Sequence, residues 1–300
     1  MSEQLANERS LYVGNAVSSV IYGMNVMLYL QTYHRLSVRT RKTHPKTFYH
    51  IYGALLLLFL TLVVATDQLA GQLAWIENRD YPGGVQGYLK AHATAWYNTL
   101  GTVAVISLDA MSNALMLYRC YLIWNDSISA VLALLVLYFA AVAMSIMMML
   151  EGALPGSNIF KGLAVQYGII WIALTVVFNI FITVMISFRL IRVYRRLKHV
   201  LPTETLKPYT STVAIIVESF LPFTIVNIAY MVTLIKSSPA EVAIAAVWPN
   251  FCVLAPQLII FRVASGVAWS KDTTHVTFTT VSPELSDQSS IDYRVSVEIT

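Results

Sequence analysis

The stretch VLALLVLYFAAVAMSIMMML at residues 131–150 decides the fold class of this chain. No charged side chain interrupts it. A helix of about 20 apolar residues is long enough to cross the hydrocarbon core of a bilayer. The apolar residues of a soluble domain are instead divided into faces and are not gathered into runs of this length. The stretch therefore predicts a membrane-spanning helix.

The composition of the whole chain agrees with a membrane protein. Of its 300 residues, 57% are hydrophobic and 12% are charged, and the mean hydropathy is +0.62. A soluble domain carries about 25% charged residues. In a soluble protein the net charge of +4 would point to nucleic acid. Here the positions of the charges matter more than their sum, and we expect a lipid bilayer as partner and no nucleic acid.

Seven segments are long and apolar enough to cross a bilayer as helices. They lie at about 11–33, 49–72, 97–123, 128–150, 163–188, 210–235 and 242–262. The predicted fold is therefore all-α, an integral membrane bundle of seven transmembrane helices. We divide the chain into a short extracellular N-terminus at 1–10, the seven-helix domain at 11–262, a short interfacial helix at 263–270 and a disordered cytoplasmic tail at 271–300.

The orientation of the bundle follows from the basic residues in its short loops. Fifteen of the 20 lysine and arginine residues fall on one side of the predicted membrane. Most of them lie between the first two spans and between the fifth and sixth. Cytoplasmic loops hold this excess, so we expect the N-terminus outside and the C-terminus in the cytoplasm. We place the protein in the plasma membrane in preference to an internal membrane.

Polar residues form a stripe along the third span. The stripe consists of Asn98, Thr102, Asp109, Ser112, Asn113 and Arg119. Their spacing places the six side chains on one side of a helix through most of the membrane depth, and such a side cannot face lipid. We therefore predict that the third span is an interior helix, which is surrounded by other helices or lines a wet cavity.

Three acids lie inside the predicted spans, at Asp67, Asp109 and Glu218. A charged side chain at the bilayer centre costs about 2.5–3.5 kcal/mol on insertion scales, so a buried acid has a partner or a function. We predict a ligand cavity that opens outward among the second, third, sixth and seventh spans, with a lining of Asp67, Asp109, Asn113 and Trp248. Two alternatives stay open. In one, Asp109 belongs to a structural network or carries protons. In the other, Trp248 is a packing residue.

Arg119 and Glu218 both lie toward the cytoplasmic ends of their spans. An ion pair between them would join the third and sixth spans in a resting state, and its breakage would let the sixth helix move. In the alternative, Arg119 extends to lipid phosphate and Glu218 is protonated.

A basic segment, RLIRVYRRLKH at 189–199, follows the fifth span. Its cationic residues, which we call the basic face, are Arg189, Arg192, Arg195, Arg196 and Lys198. Offsets of three and four residues place the arginines on one face of a helix that continues the fifth span into the cytoplasm. This face is a surface for anionic lipid or for a cytoplasmic partner.

Catalytic motifs are missing from the sequence. All six histidines lie at span ends, in loops or in the tail, so the ligands for a zinc site inside the membrane are lacking. Neither a Gly-x-Ser-x-Gly nor a His-Glu-x-x-His pattern occurs. The last span has no lysine to hold a retinal. We expect no enzyme activity, no catalytic residue, no metal and no cofactor.

The topology, the interior third helix and the basic segment before the sixth span resemble a G-protein-coupled receptor. Tyr118-Arg119-Cys120 ends the third span where many receptors place an acid-Arg-aromatic triplet, but the acid is missing here. The last span also lacks an Asn-Pro-x-x-Tyr pattern. The chain therefore departs from the rhodopsin class, although its topology is receptor-like.

Three stretches carry a closer resemblance: LYVGNAVSSVIYGMNVMLYL at 11–30, YRCYLIW at 118–124 and PQLIIFRVASGVAW at 256–269. In these the chain resembles uncharacterised seven-helix proteins that are expanded in mushroom-forming fungi. The resemblance covers most of the helical region. It implies a receptor-like bundle of unknown ligand and lends no catalytic residue.

The sequence thus predicts a multi-pass sensor that binds an unknown small extracellular ligand and relays the signal to a cytoplasmic partner, such as a heterotrimeric G protein. One alternative is a proton-coupled carrier of a small solute, with Asp109 and Glu218 along its path. Another is a structural membrane protein without a ligand.

Overall fold

A computed structural model of the chain describes residues 2–38, 45–124, 128–153, 163–197, 221–236 and 238–264. Every regular element in these ranges is a helix, so the all-α prediction is confirmed for them. The elements are α1 (Ser2–Val38), α2 (Pro45–Gln72) with a π-helical continuation (Leu73–Glu77), α3 (Gly84–Ala91), α4 (Trp96–Ile123), α5 (Ile128–Ala153), α6 (Leu163–Leu197), α7 (described over Leu221–Ile235) and α8 (Ala240–Ala264).

Six of these helices are long and apolar enough to cross a membrane. The qualifying parts are Leu5–Val38, Thr47–Glu77, Trp96–Ile123, Val131–Gly152, Leu163–Arg189 and Ala240–Arg262. They coincide with six of the seven predicted spans, and those six helices are confirmed. Of the predicted span at 210–235, the structure describes the apolar helix α7, whereas residues 210–220 lie outside the described ranges.

Side-chain burial in α1 is the reverse of that in a soluble helix. Its buried positions include Asn15, Ser18, Asn25 and Thr32, whereas Val20 is 67% exposed. Soluble proteins bury large apolar side chains and expose polar ones. An apolar outer surface around a polar interior is stable in hydrocarbon, where no water competes for the polar groups. The burial pattern therefore agrees with a membrane protein.

The central helix of the described bundle is α4, because it packs against α2, α5, α6 and α8. Half of its most apolar 18-residue stretch is buried, against 22% for α2 and for α5, and only α8 among the described spans is more buried, at 61%. None of the six polar residues in its stripe is exposed, and Asp109, Ser112 and Asn113 are buried. The prediction that the third span is an interior helix is confirmed.

The first helix and the last described helix pack closely through small and polar residues. A Cβ atom at Gly14 would lie 2.7 Å from the Cα atom of Ala243. Asn250 Nδ2 donates a hydrogen bond of 2.8 Å to Ser18 Oγ, and Asn25 Nδ2 donates one of 3.3 Å to the Asn250 carbonyl. Close backbone approach and such hydrogen bonds hold helices together in lipid, where no hydrophobic force acts between them. These contacts join α1 to α8.

The segment between α2 and α4 folds over one end of the bundle. Its turn contains Gly83 and Gly84, whose φ angles of 88° and 64° lie in the left-handed region that glycine adopts without steric cost. Then α3 buries Val85 and Tyr88, which form an apolar cluster with Ala74 of the π-helical turn. This small cluster fixes α3 beside the helix ends, where the cavity described below lies.

Some predicted features extend beyond the described residues. Helix α1 begins at Ser2, so residues 2–10, assigned to the extracellular N-terminus, are helical. Helix α8 ends at Ala264, and the rest of the predicted interfacial helix at 263–270 and the tail at 271–300 lie outside the described ranges. The same holds for Lys198 and Glu218.

Candidate functional site

A cavity of about 360 Å³ lies at one end of the bundle. Every described helix contributes to its lining, through the early parts of α1, α4, α6 and α8 and the late parts of α2, α5 and α7. Helix α3 lies at its edge. Small-molecule sites have volumes of about 300–1,000 Å³, so the cavity suits a small ligand.

Asp67 on α2 provides the one carboxylate among the described lining residues. Within the described ranges, no side chain forms a hydrogen bond or an ion pair with it. A carboxylate away from bulk water needs a cation, a hydrogen-bond donor or a proton to compensate its lost hydration. The cavity therefore contains an acidic group whose bonding capacity is unused.

Asn15 on α1 adds an unused donor to the same cavity. Its side chain is 6% exposed, and its Nδ2 atom has no acceptor among the described residues. A Cβ atom at Gly71 would lie 3.3 Å from this Nδ2, so the missing side chain of Gly71 makes room for the amide. Gly71 follows Asp67 by four residues on one face of α2. The free donor and the free carboxylate therefore lie about one helical turn apart.

Three aromatic side chains form a wall of the cavity: Trp171 on α6, Tyr230 on α7 and Trp248 on α8. The ring centroids of Trp171 and Trp248 are 5.7 Å apart at 89°, and those of Tyr230 and Trp248 are 5.8 Å apart. Both indole N–H groups donate away from the cavity, Trp171 to Asp109 and Trp248 to Asn227. These bonds hold the two indoles in fixed orientations.

Asp109 lies behind this aromatic wall. Its Oδ2 accepts hydrogen bonds from Trp171 Nε1 at 3.0 Å and from Thr175 Oγ1 at 3.4 Å, and its Oδ1 accepts one from Asn113 Nδ2 at 3.0 Å. Asp109 and Asn113 were expected in the cavity lining, but they lie outside the lining that the described residues form, because Trp171 stands between. Of the four predicted ligand residues, Asp67 and Trp248 line the cavity.

The edge of the cavity carries a basic side chain. Lys90 near the end of α3 is exposed and lines the cavity with Gln86 of the same helix. On α4, Asn98 also lines the cavity, and its amide is fixed by a hydrogen bond of 2.8 Å to the His92 carbonyl. The described lining therefore has its basic side chain on α3 and its acidic side chain on α2.

Arg119 lies at the other end of α4, about 25 Å from Thr102 along the helix axis. Its Nε and Nη2 atoms are buried and lack a hydrogen-bond partner among the described residues. The predicted partner, Glu218, lies outside those residues, so the ion pair stays a prediction. Gln257 on α8 likewise buries two side-chain atoms without a described partner.

The basic face lies on the last turns of α6. This helix continues through residue 197, so the predicted helical extension of the fifth span is confirmed. Arg189 is half-buried, whereas Arg192 and Arg195 are exposed. The structure does not describe the side chains of Arg196 and Lys198. Whether lipid or a partner meets this face stays a prediction.

Sequence reasoning missed several lining residues, and they differ in the signal that each one gave. Asn15 shares one face of α1 with Ser18 and Asn25, which follow it by three and ten residues, and a search for polar stripes on every span would have found it. Trp171 and Tyr230 gave no comparable signal, because aromatic residues in apolar spans usually pack against neighbouring helices.

No family model matches this chain, and a search of curated proteins found no relative that matches it either. Among the described residues there is no group of three or more His, Cys, Asp or Glu side chains that could hold a metal ion.

Proposed function

We propose that this protein is a receptor-like sensor of an extracellular small molecule in the plasma membrane. It crosses the bilayer seven times, with the N-terminus outside, like the seven-helix fungal proteins that its sequence resembles. The observation that carries the proposal is the cavity at the end of the bundle that the positive-inside rule assigns to the outside. Its size and its mixture of aromatic walls and unused polar groups fit a small-molecule site.

The central helix offers a route from this cavity to the other end of the bundle. A ligand in the cavity meets the ring of Trp171, whose indole N–H is bonded to Asp109 on α4. From Asp109, the helix continues for about 15 Å to Arg119. A shift of Trp171 therefore changes the bonding of a helix that packs against four others.

The predicted pair of Arg119 and Glu218 acts as the switch at the cytoplasmic end. In the resting state it joins the third and sixth spans, and ligand binding breaks it, so that the sixth span moves and uncovers a surface for a partner. The basic face beside it contributes positive charge to that surface. The partner is a heterotrimeric G protein or another cytoplasmic protein with an acidic docking surface.

A proton-coupled carrier is the second candidate, and one observation favours it. Asp67 is an acid without a described partner inside a cavity, which is a property of proton-binding sites in membrane transporters. The fully bonded carboxylate of Asp109 fits this role less well, although the sequence pointed to Asp109. A carrier moves its substrate without any cytoplasmic protein.

Capture of a Gα subunit tests the sensor proposal. We would purify the protein with candidate Gα subunits after nucleotide removal, using wild type, Glu218→Gln and the control Glu204→Gln, which lies in the predicted loop before the sixth span. Loss of the ion pair favours the active state, so we expect Glu218→Gln to retain several-fold more Gα than wild type. Addition of GTP should release the bound Gα.

The outcomes separate the candidates. Equal amounts of Gα captured by Glu218→Gln and by Glu204→Gln would contradict the proposed switch pair of Arg119 and Glu218. No nucleotide-sensitive capture by any form, together with solute uptake into liposomes that contain this protein alone, would replace the sensor by the carrier. A structural protein without a ligand would show neither capture nor uptake, and its cavity variants would behave as wild type.

A further inference from the structure

We propose that the cavity binds a small organic ammonium ion that also carries a hydrogen-bond acceptor. This inference deepens the proposed function by naming the chemical class of the ligand for the same cavity, and it rests on that function for its role as a signal. Two unused polar groups in the lining define the class, and the aromatic wall and the cavity size limit the body of the ligand.

The ammonium group follows from Asp67. It is the one carboxylate in the described lining and has no described partner. An ammonium ion supplies both the opposite charge and the N–H donors that a carboxylate lacks after leaving water. The basic residue of the lining, Lys90, lies on α3 at the exposed edge. Because Lys90 repels a cation at that edge, the α2 wall with Asp67 is the favourable place for the ammonium group.

The acceptor group follows from Asn15. Its Nδ2 is a buried donor beside Gly71, one turn from Asp67 toward the end of α2 that carries α3. A ligand carbonyl, hydroxyl or carboxylate oxygen there would satisfy this donor. Lys90 on α3, a helix that contacts α1, also lines the cavity and favours an electron-rich group. The ligand is thus oriented with its ammonium group inward at Asp67 and its acceptor outward at Asn15.

The body of the ligand is small and apolar or aromatic. Trp171, Tyr230 and Trp248 present ring surface to the cavity, and aromatic faces attract cations and stack on rings. The indole N–H groups of Trp171 and Trp248 are already bonded elsewhere, so these two rings offer no hydrogen bond to a polar body. A volume of about 360 Å³ admits one ring with a short side chain.

Three probes with the same phenyl body test each group in turn: phenylalaninol, which has an ammonium and a hydroxyl group, 2-phenylethylamine, which has the ammonium group alone, and 3-phenyl-1-propanol, which has no ammonium group. Binding to the full chain in nanodiscs would be followed by tryptophan fluorescence, since Trp171 and Trp248 line the cavity. We expect phenylalaninol to bind best and the alcohol about 30-fold or more weakly, because it leaves the carboxylate unpaired.

Variants assign the two contacts. Asp67→Asn should weaken both amines by about 30-fold or more, whereas Asp80→Asn in the exposed external turn should leave them unchanged. Asn15→Ala should remove the advantage of phenylalaninol over 2-phenylethylamine. Thermal unfolding of each variant would establish that it is folded, and the comparison of the three probes on wild type needs no variant.

The proposal is overturned if the alcohol binds wild type as tightly as the amines, if Asp67→Asn binds the amines like wild type, or if no probe binds saturably. The readout is independent of Gα. Amine binding without Gα capture would leave the ligand class intact and remove the G protein as the partner. Nucleotide-sensitive capture of Gα without amine binding would support the sensor and overturn the proposed ligand class.

Discussion

At the scale of single residues, Asp109 illustrates how a buried acid is stabilised within the bundle. It accepts hydrogen bonds from Trp171, Thr175 and Asn113, two of which lie on α6 and one on its own helix. These donors replace the water that the carboxylate has lost, and they tie the central helix to α6. The structural network, one of the alternatives left open by the sequence, accounts for its contacts.

Replacement of Asp109 by Ala should destabilise the protein. The indole N–H of Trp171 and the hydroxyl of Thr175 would lose their acceptor in a buried place, which costs about 1–3 kcal/mol. Asp109→Asn keeps an acceptor oxygen and should cost less. Thermal unfolding in a single detergent would measure both, with Asp80→Ala on the exposed turn as the control. Equal midpoints for Asp109→Ala and Asp80→Ala would show that the network contributes little.

At the scale of helices, the contact between α1 and α8 depends on a small residue at the point of closest approach. Gly14 lets the two backbones meet, whereas a Cβ atom at Gly23, nine residues later on the same helix, would have no neighbour within 4 Å. The two glycines are chemically identical but lie in different surroundings. They therefore form a matched pair for testing the packing of these helices.

Gly14→Ala should destabilise the bundle by about 1–3 kcal/mol, because the new methyl group would overlap the backbone of Ala243 and push α1 away from α8. Gly23→Ala should be neutral or stabilising by up to about 1 kcal/mol, since alanine is the better helix former and meets no neighbour. Unfolding midpoints in the same detergent would compare the two. A larger loss for Gly23→Ala would contradict the packing of α1 on α8.

At the scale of the whole molecule, the two ends of the bundle differ in chemistry. One end holds the cavity and α3, and the other holds Arg119 and the basic face. The positive-inside rule assigns the second end to the cytoplasm. The direction of the proposed signal depends on this assignment, because in the proposed function a cavity that opened to the cytoplasm would sense an internal ligand.

Epitope tags on the two termini test the orientation. In intact cells an antibody should reach a tag on the N-terminus, and a tag on the C-terminus should become accessible after permeabilisation. Both tags should stain equally in permeabilised cells, which controls for expression. The sequon Asn125-Asp126-Ser127 lies on the predicted cytoplasmic side. Glycan at Asn125, together with an N-terminal tag that antibody cannot reach in intact cells, would show that the topology is the reverse of the predicted one.

The sequence alone determined the membrane class, six of the helices and the interior place of α4, because these depend on local properties. A run of apolar residues and a polar stripe at helical spacing are readable from neighbouring positions. The sequence also identified Asp67 and Trp248 as residues of the cavity lining, since an acid and a tryptophan deep in apolar spans are rare enough to notice.

The tertiary structure decided which polar groups are already bonded and which are free. Asp109 and Trp171 are 62 residues apart in sequence, and their hydrogen bond removes Asp109 from the cavity. Asn15 became part of the site because α1 packs beside Gly71 of α2. Such pairings depend on how separate helices are placed against each other, and no local pattern in a single helix encodes that placement.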